Sequence, residues 1–142
     1  MALQSMTVAQ SELVAMLEAE KTALGTDLLV CLFKTNLTIT PTTTLAALEA
    51  QEPTGSWYTR AAATVGDVYL NPDGSLSLSL ASVEFDYSGT DPAEVITGYF
   101  VIRAATPVLV GARALDTAVT MATVLDAIIV QPTLTLQPSL AA

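Results

Sequence analysis

Ser75-Leu76-Ser77-Leu78-Ser79-Leu80-Ala81-Ser82 is the stretch that decides the fold class. Leucine and serine alternate with a period of two, the spacing at which side chains leave a strand on opposite faces. The leucines are predicted to face a core and the serines solvent or a partner, as in an antiparallel sheet covered on one side. The alternation continues through Val83, Phe85 and Tyr87, with Glu84 and Asp86 opposite, but in the other phase. That change near Ala81-Ser82 predicts a bulge or a strand that switches sheets. Just upstream, Asn71-Pro72-Asp73-Gly74 is a hairpin signal, because proline presets φ and glycine accepts a positive φ. Just downstream, Ser88-Gly89-Thr90-Asp91-Pro92 is a turn.

Working outward, the same signals recur at roughly ten-residue spacing. Leu28 to Lys34 has the length and composition of a buried strand, and Leu37-Thr38-Ile39-Thr40 alternates until Pro41 ends it or confines it to an edge. Leu45 to Ala50 is short and alanine-rich, a helical turn capped by a threonine. Residues 53–64 are loop-like and hold Trp57 and Tyr58. Two adjacent aromatics there serve either as a sugar-binding platform or as a plug at one end of the core. Val65 to Leu70, Val95 to Ala105 and Pro107 to Leu115 are further strands, with Gly98 permitting a close backbone approach or a twist. Met121 to Val124 is ambiguous. Asp126 to Val130 and Thr133 to Leu136 form a last strand or strand pair broken by Pro132.

Residues 7–24 read differently. Thr7 and Gln10 fit a capping box, and Leu13, Met16, Leu17 and Leu24 share one helical face, interrupted by Glu20. Gly25 is a C-terminal stop. Such a stripe must be buried, on its own domain or on a neighbouring subunit. The expected fold is therefore mainly β: an antiparallel β-sandwich, jelly-roll-like, over 27–142, preceded by an N-terminal α-helix in an arm over 1–26.

Composition bounds the function. The chain of 142 residues suits one domain. It is 51% hydrophobic and only 13% charged, where ordinary domains carry about 25% charged residues. The apolar surplus belongs to a core, a membrane or an interface with other chains. No apolar run approaches the ~18 residues that span a bilayer, so a membrane partner is not expected. The first residues lack the basic start of a secretory signal, and synthesis in a cytoplasm follows as the expectation. A net charge of −9, with Lys21, Lys34, Arg60, Arg103 and Arg113 scattered, argues against a nucleic-acid partner.

Chemistry is sparse. There is no histidine, so no catalytic triad has its usual base, and Cys31 in its apolar run reads as a buried small hydrophobe. Zinc has no ligand set. Calcium is the least disfavoured metal, with Asn71, Asp73 and Ser75 around Gly74, and Asp86, Asp91 and Glu94 near another turn. The first group departs from the EF-hand loop, and turns favour such residues for backbone reasons alone. Glu84 and Asp86 share a strand face, but the aromatic content of 6% is low for a glycosidase cleft. No enzyme activity, no cofactor and no metal are expected.

One stretch is similar to a pattern in small virion proteins of tailed bacteriophages. Leu32-Phe33-Lys34-Thr35-Asn36-Leu37-Thr38-Ile39-Thr40-Pro41-Thr42-Thr43-Thr44-Leu45-Ala46-Ala47-Leu48-Glu49-Ala50 resembles their leucine-phenylalanine, asparagine, threonine-proline and threonine-threonine-leucine run. Gly98-Tyr99-Phe100-Val101 and Pro132-Thr133-Leu134-Thr135-Leu136 resemble two later segments, so the likeness covers about 28–136. The resemblance implies a β-sandwich structural component of the virion. Within that class a capsid decoration or cement protein is expected, a homotrimer bound to the major capsid protein. The alternatives are a tail, baseplate or receptor-binding component, and a carbohydrate-binding module using Trp57 and Tyr58. The contact surfaces expected are the helix stripe through Leu13, Leu17 and Leu24, and the terminal segment Ala127 to Leu136 with Ile128 and Ile129.

Overall fold

The computed structural model describes residues 11, 12, 14–16, 18, 19 and 27–136. The N-terminal residues among these are helical. Leu13, Leu17 and Leu24 lie outside the described residues, as do both residues of the capping box, Thr7 and Gln10, and the stop predicted for that helix, Gly25.

The body is mainly β, with antiparallel pairing throughout: β1 (Leu28–Phe33), α1 (Leu45–Glu49), β2 (Ala61–Ala63), β3 (Val65–Leu70), β4 (Leu76–Leu80), β5 (Val83–Asp86), β6 (Glu94–Arg103), β7 (Val108–Met121), β8 (Ala127–Val130) and β9 (Thr133–Leu136). One sheet has the order β2-β1-β6-β7, a second β3-β4-β9, and β5 pairs with β8.

The last two ladders are halves of one ladder interrupted by a bulge. Ser79 pairs with Thr133 and Val83 with Val130, so the three residues 80–82 stand opposite the two residues 131 and 132. The Leu80 amide bridges the gap by donating to the Pro132 carbonyl at 2.9 Å. One inserted residue reverses the facing parity of the strand that holds it. Leu76, Leu78 and Leu80 are therefore buried at even positions and Phe85 and Tyr87 at odd ones. The opposite strand has no insertion, and Ile128, Val130 and Pro132 stay buried in unbroken phase. This is the phase change visible in the sequence.

The four-stranded sheet is covered on both faces. Leu28, Val30 and Leu32 join Leu78, Leu80, Phe85, Ile96, Val101, Met121, Ile128 and Val130 in one core cluster. Cys31, Phe33, Phe100 and Ile102 point the other way, into a second cluster with Leu48 of α1 and with Leu37, Ile39 and Leu45. A strand covered on both sides needs no polar alternation, which explains the continuous apolar run of β1. Thr44 caps α1 as expected, its hydroxyl accepting from the Ala47 amide at 3.2 Å.

Four readings need correction. Leu37 to Thr40 is not a strand: it crosses the covered face without a ladder, its two apolar residues packing downward while Pro41 denies it an amide for pairing. β2 arises inside the stretch expected to be loop, because three alanines fit beside Leu28, Leu29 and Val30. β7 runs past Leu115 to Met121. On β4 the serine side is not left to solvent, since Ser75 and Ser77 are buried and Asn71 donates to both hydroxyls, at 3.0 and 2.8 Å.

Geometry requires glycine at several positions, and two of them bear on the sequence reading. Gly74 has φ of 86° at the hairpin. Gly98 is buried where a Cβ would run into the Phe33 ring and the Arg113 carbonyl.

Candidate interaction surface

The two sides of the body differ in how they are closed. On one side, Thr64 alone separates β2 from β3, so the chain passes directly from the four-stranded sheet to the bulged ladder, and the Ala81 amide donates to the Thr64 carbonyl at 2.9 Å. At the start of β6, two carboxylates hold the loop that carries the aromatic pair. Glu94 accepts from the Thr54 amide at 3.0 Å, the Gly55 amide at 3.2 Å and the Trp57 indole at 3.0 Å, with the Lys34 ammonium 3.1 Å away. Burial pushes the Glu94 carboxyl up, but the Thr54 amide, Lys34 and the Gly55 amide together hold it below the ordinary carboxylate range. Asp91 accepts from the Ser56 amide at 2.9 Å and its hydroxyl at 2.6 Å.

Trp57 and Tyr58 are part of this closure. Both are half-buried against the core. Their rings meet edge to face at 5.9 Å and 66°, so they share no flat platform. Trp57 also lies 6.1 Å from Tyr87, and Tyr58 stacks on Phe85 at 5.9 Å. The Tyr58 hydroxyl donates to Glu52 at 2.6 Å and accepts from the Leu32 amide at 3.2 Å. Arg60 joins Glu52 and, at 2.8 Å, Glu49. Beneath them, burial raises the Cys31 thiol to about 12, with Glu52 adding to the rise and Arg60 and Tyr58 opposing it. A thiol held neutral in this way is a poor nucleophile.

The opposite side is open. β7 is the last strand of the four-stranded sheet, β8 and β9 are the last strands of the bulged ladder, and no described strand pairs with these edges. Between them lies a cavity of about 390 Å³ lined by Val101, Val110, Pro132 and Leu134, with Tyr99 and Arg113 at one end. A second hollow of about 200 Å³ continues from Tyr99, Arg113 and Gln131 to Leu115 and Ile129. The two edges are guarded differently. β7 is interrupted where residues 115–118 stand opposite Thr97 alone, and it carries Arg113 3.7 Å from Asp116. The β8–β9 edge, 127–136, has no charged residue at all. Lysine, other charges and bulges are the usual protection of a sheet edge.

The segment expected to make contacts is thus split by the pleat. Ile128 is buried in the core, and Ile129 is 69% exposed. Val124 and Leu125 are 70% and 91% exposed at the β7–β8 turn, where Val124 lies beside Gly89 of the turn that precedes β6. That turn is set by Asp126, whose carboxylate accepts from the Ala122 and Thr123 amides at 2.8 and 2.7 Å, bonds that lower its pKa. Sequence reasoning missed Val124 and Leu125 because nothing in their spacing separates them from a strand.

Among the described residues, no group of three or more His, Cys, Asp or Glu side chains is placed to hold a metal ion. Asp73, one of the calcium candidates, instead accepts from the Ser75 amide at 2.9 Å and hydroxyl at 2.6 Å. Among the described residues, no helix is long and apolar enough to cross a membrane. No protein-family model, no curated protein and no solved structure matches the chain.

Proposed function

We propose that this chain is a structural protein of a tailed-phage virion, a non-enzymatic capsid decoration or cement protein made in the host cytoplasm. The reading takes its antiparallel sheets as the two layers of a jelly-roll-like β-sandwich. The observation that carries it is the edge formed by β7 and β8–β9: strand edges unpaired among the described residues, a cavity between them lined by Val101, Val110, Pro132 and Leu134 together with the polar Arg113, Gln131 and Thr133, and Ile129 exposed beside it. Apolar side chains exposed beside an unpaired strand edge, on a chain this poor in charge, favour contact with other chains. The resemblance along 28–136 supplies the particle, and the major capsid protein is the partner it implies. A cement protein stabilises by mass action, binding the assembled shell and not its loose parts.

The chemistry supports contact over turnover. The chain has no histidine, and its one cysteine is buried with a raised pKa. Imaging particles made with and without this chain tests the reading. Density on the shell lattice that disappears with the chain is expected. Density confined to the tail moves the protein to the baseplate reading, and particles unchanged in composition and stability reject a virion role.

A further inference from the structure

We infer that Glu94 and Asp91 form an acid-operated latch: protonating them frees residues 54–57 and turns the Trp57 ring out to solvent while the sheets stay folded. The latch is independent of what the β7 and β9 edges contact. Three observations point to it. First, the two carboxylates are the polar attachment of this segment. Among the described residues, no backbone amide or carbonyl of 54–57 bonds to a strand, and the turn itself is closed by the Tyr58 amide donating to the Gly55 carbonyl at 3.1 Å. The other hydrogen bonds of the segment run from the Thr54 amide and hydroxyl, the Gly55 amide and the Trp57 indole to Glu94, and from the Ser56 amide and hydroxyl to Asp91. A bond to an ionised acceptor is roughly twice as strong as one between neutral groups, so a proton on each carboxylate weakens the whole set.

Second, the segment has fixed ends. Upstream, the Gln51 carbonyl accepts from the Lys34 amide at 2.8 Å. Downstream, the Tyr58 hydroxyl accepts from the Leu32 amide and its ring stacks on Phe85. None of these contacts involves a carboxylate, so acid leaves them in place and the release is confined to the loop. A short segment without ladder bonds is the kind that opens ahead of the body.

Third, the charges set the direction. Lys34, just past β1, lies 3.1 Å from Glu94. Tyr87, after β5, bonds through its hydroxyl to the Asp91 carbonyl. The remaining titratable neighbours, Glu49, Glu52, Arg60, Tyr58 and Cys31, belong to the adjoining network. Burial raises the Glu94 carboxyl, but the Thr54 amide, Lys34 and the Gly55 amide hold it below the ordinary range. The Glu94 half of the latch is therefore fully engaged above about pH 4.3 and lost as pH falls through the lower value of the folded chain.

Trp57 is the single tryptophan of the chain, so its fluorescence reads the latch directly. The test titrates the full chain from pH 7 downward, at low concentration because the pI is near 4.1, following Trp57 emission, acrylamide quenching and the far-UV strand signal. The wild-type emission is expected to shift to longer wavelength, and its quenching to rise, at a higher pH than any loss of strand signal. Glu94→Gln, read at pH 7 where Glu52 keeps its charge, is expected to show the shifted emission with an unchanged strand signal. Asp91→Asn is expected to give a smaller shift. Emission and strand signal that change together at one midpoint overturn the latch, and so does emission that stays constant while the carboxylates titrate. A Glu94→Gln chain with wild-type emission and a wild-type acid response also overturns it.

Discussion

The loop side and the open side of this molecule are built from similar material and finished differently. Around Glu94 and Asp91, the loop 54–57 is tied by at least six hydrogen bonds to two carboxylates, and four aromatic rings close over the core. Around β7 and β9, the cavity stays open and the strand edges are unpaired among the described residues. The difference teaches where stability resides and where contact resides. Ties that satisfy buried polar groups stabilise the chain by itself, while exposed apolar surface and free amides contribute little until another chain covers them.

The sharpest way to break this contrast is Trp57→Ala. It removes a ring from the cluster and leaves Glu94 short of a donor, and a loss of about 3 kcal/mol is expected in urea unfolding. A loss below about 1 kcal/mol would mean that the loop is not part of the core's closure. Next is Glu94→Gln, with an expected loss of about 2 kcal/mol, because Lys34 loses its counter-charge and the Thr54 and Gly55 amides lose a charged acceptor.

The pH dependence follows from the lowered pKa of Glu94. A depressed carboxylate contributes stability that is full above its unfolded value, about 4.3, and is lost as pH falls through the lower folded value. Acidification below about pH 5 should therefore destabilise the wild-type chain more steeply than Glu94→Gln. Equal slopes would show that the ties to Glu94 do not depend on its charge.

On the open side the expected stability effects are small. Ile129→Ser should change the unfolding free energy by no more than about 0.5 kcal/mol. A larger loss would show that Ile129 is already covered within its own chain. Smallest of all is the response of Cys31 to thiol reagents. With the thiol buried and raised to about 12, labelling near neutral pH should wait for unfolding. Prompt labelling would show that the Tyr58 closure opens readily.

Much of this was legible because it rests on local periodicity. The LSLSL alternation, the turn at Asn71 to Gly74, the Thr44 cap and the two strands around Pro132 depend on neighbours close in sequence. Leu37 to Thr40 misled for a related reason: alternation states which side is buried, not whether another strand lies alongside. The ties at Glu94 were invisible, since Thr54 and Glu94 are forty residues apart and neither stands in a motif. Ile128 and Ile129 were legible as a pair, but which of them faces outward depended on the register of β5 against β8.

By itself the sequence determined the class of the chain: antiparallel β, acidic, poor in catalytic groups, with a phase change at Ala81-Ser82. Those properties follow from side-chain type and spacing, which fold or no fold cannot alter. Only the tertiary structure decided that β1 is covered on both faces, that Trp57 and Tyr58 turn edge to face, and that a cavity lies between β7 and β9. Each of these depends on which distant segments meet, and pairing between strands is set by long-range register and packing that no local window contains.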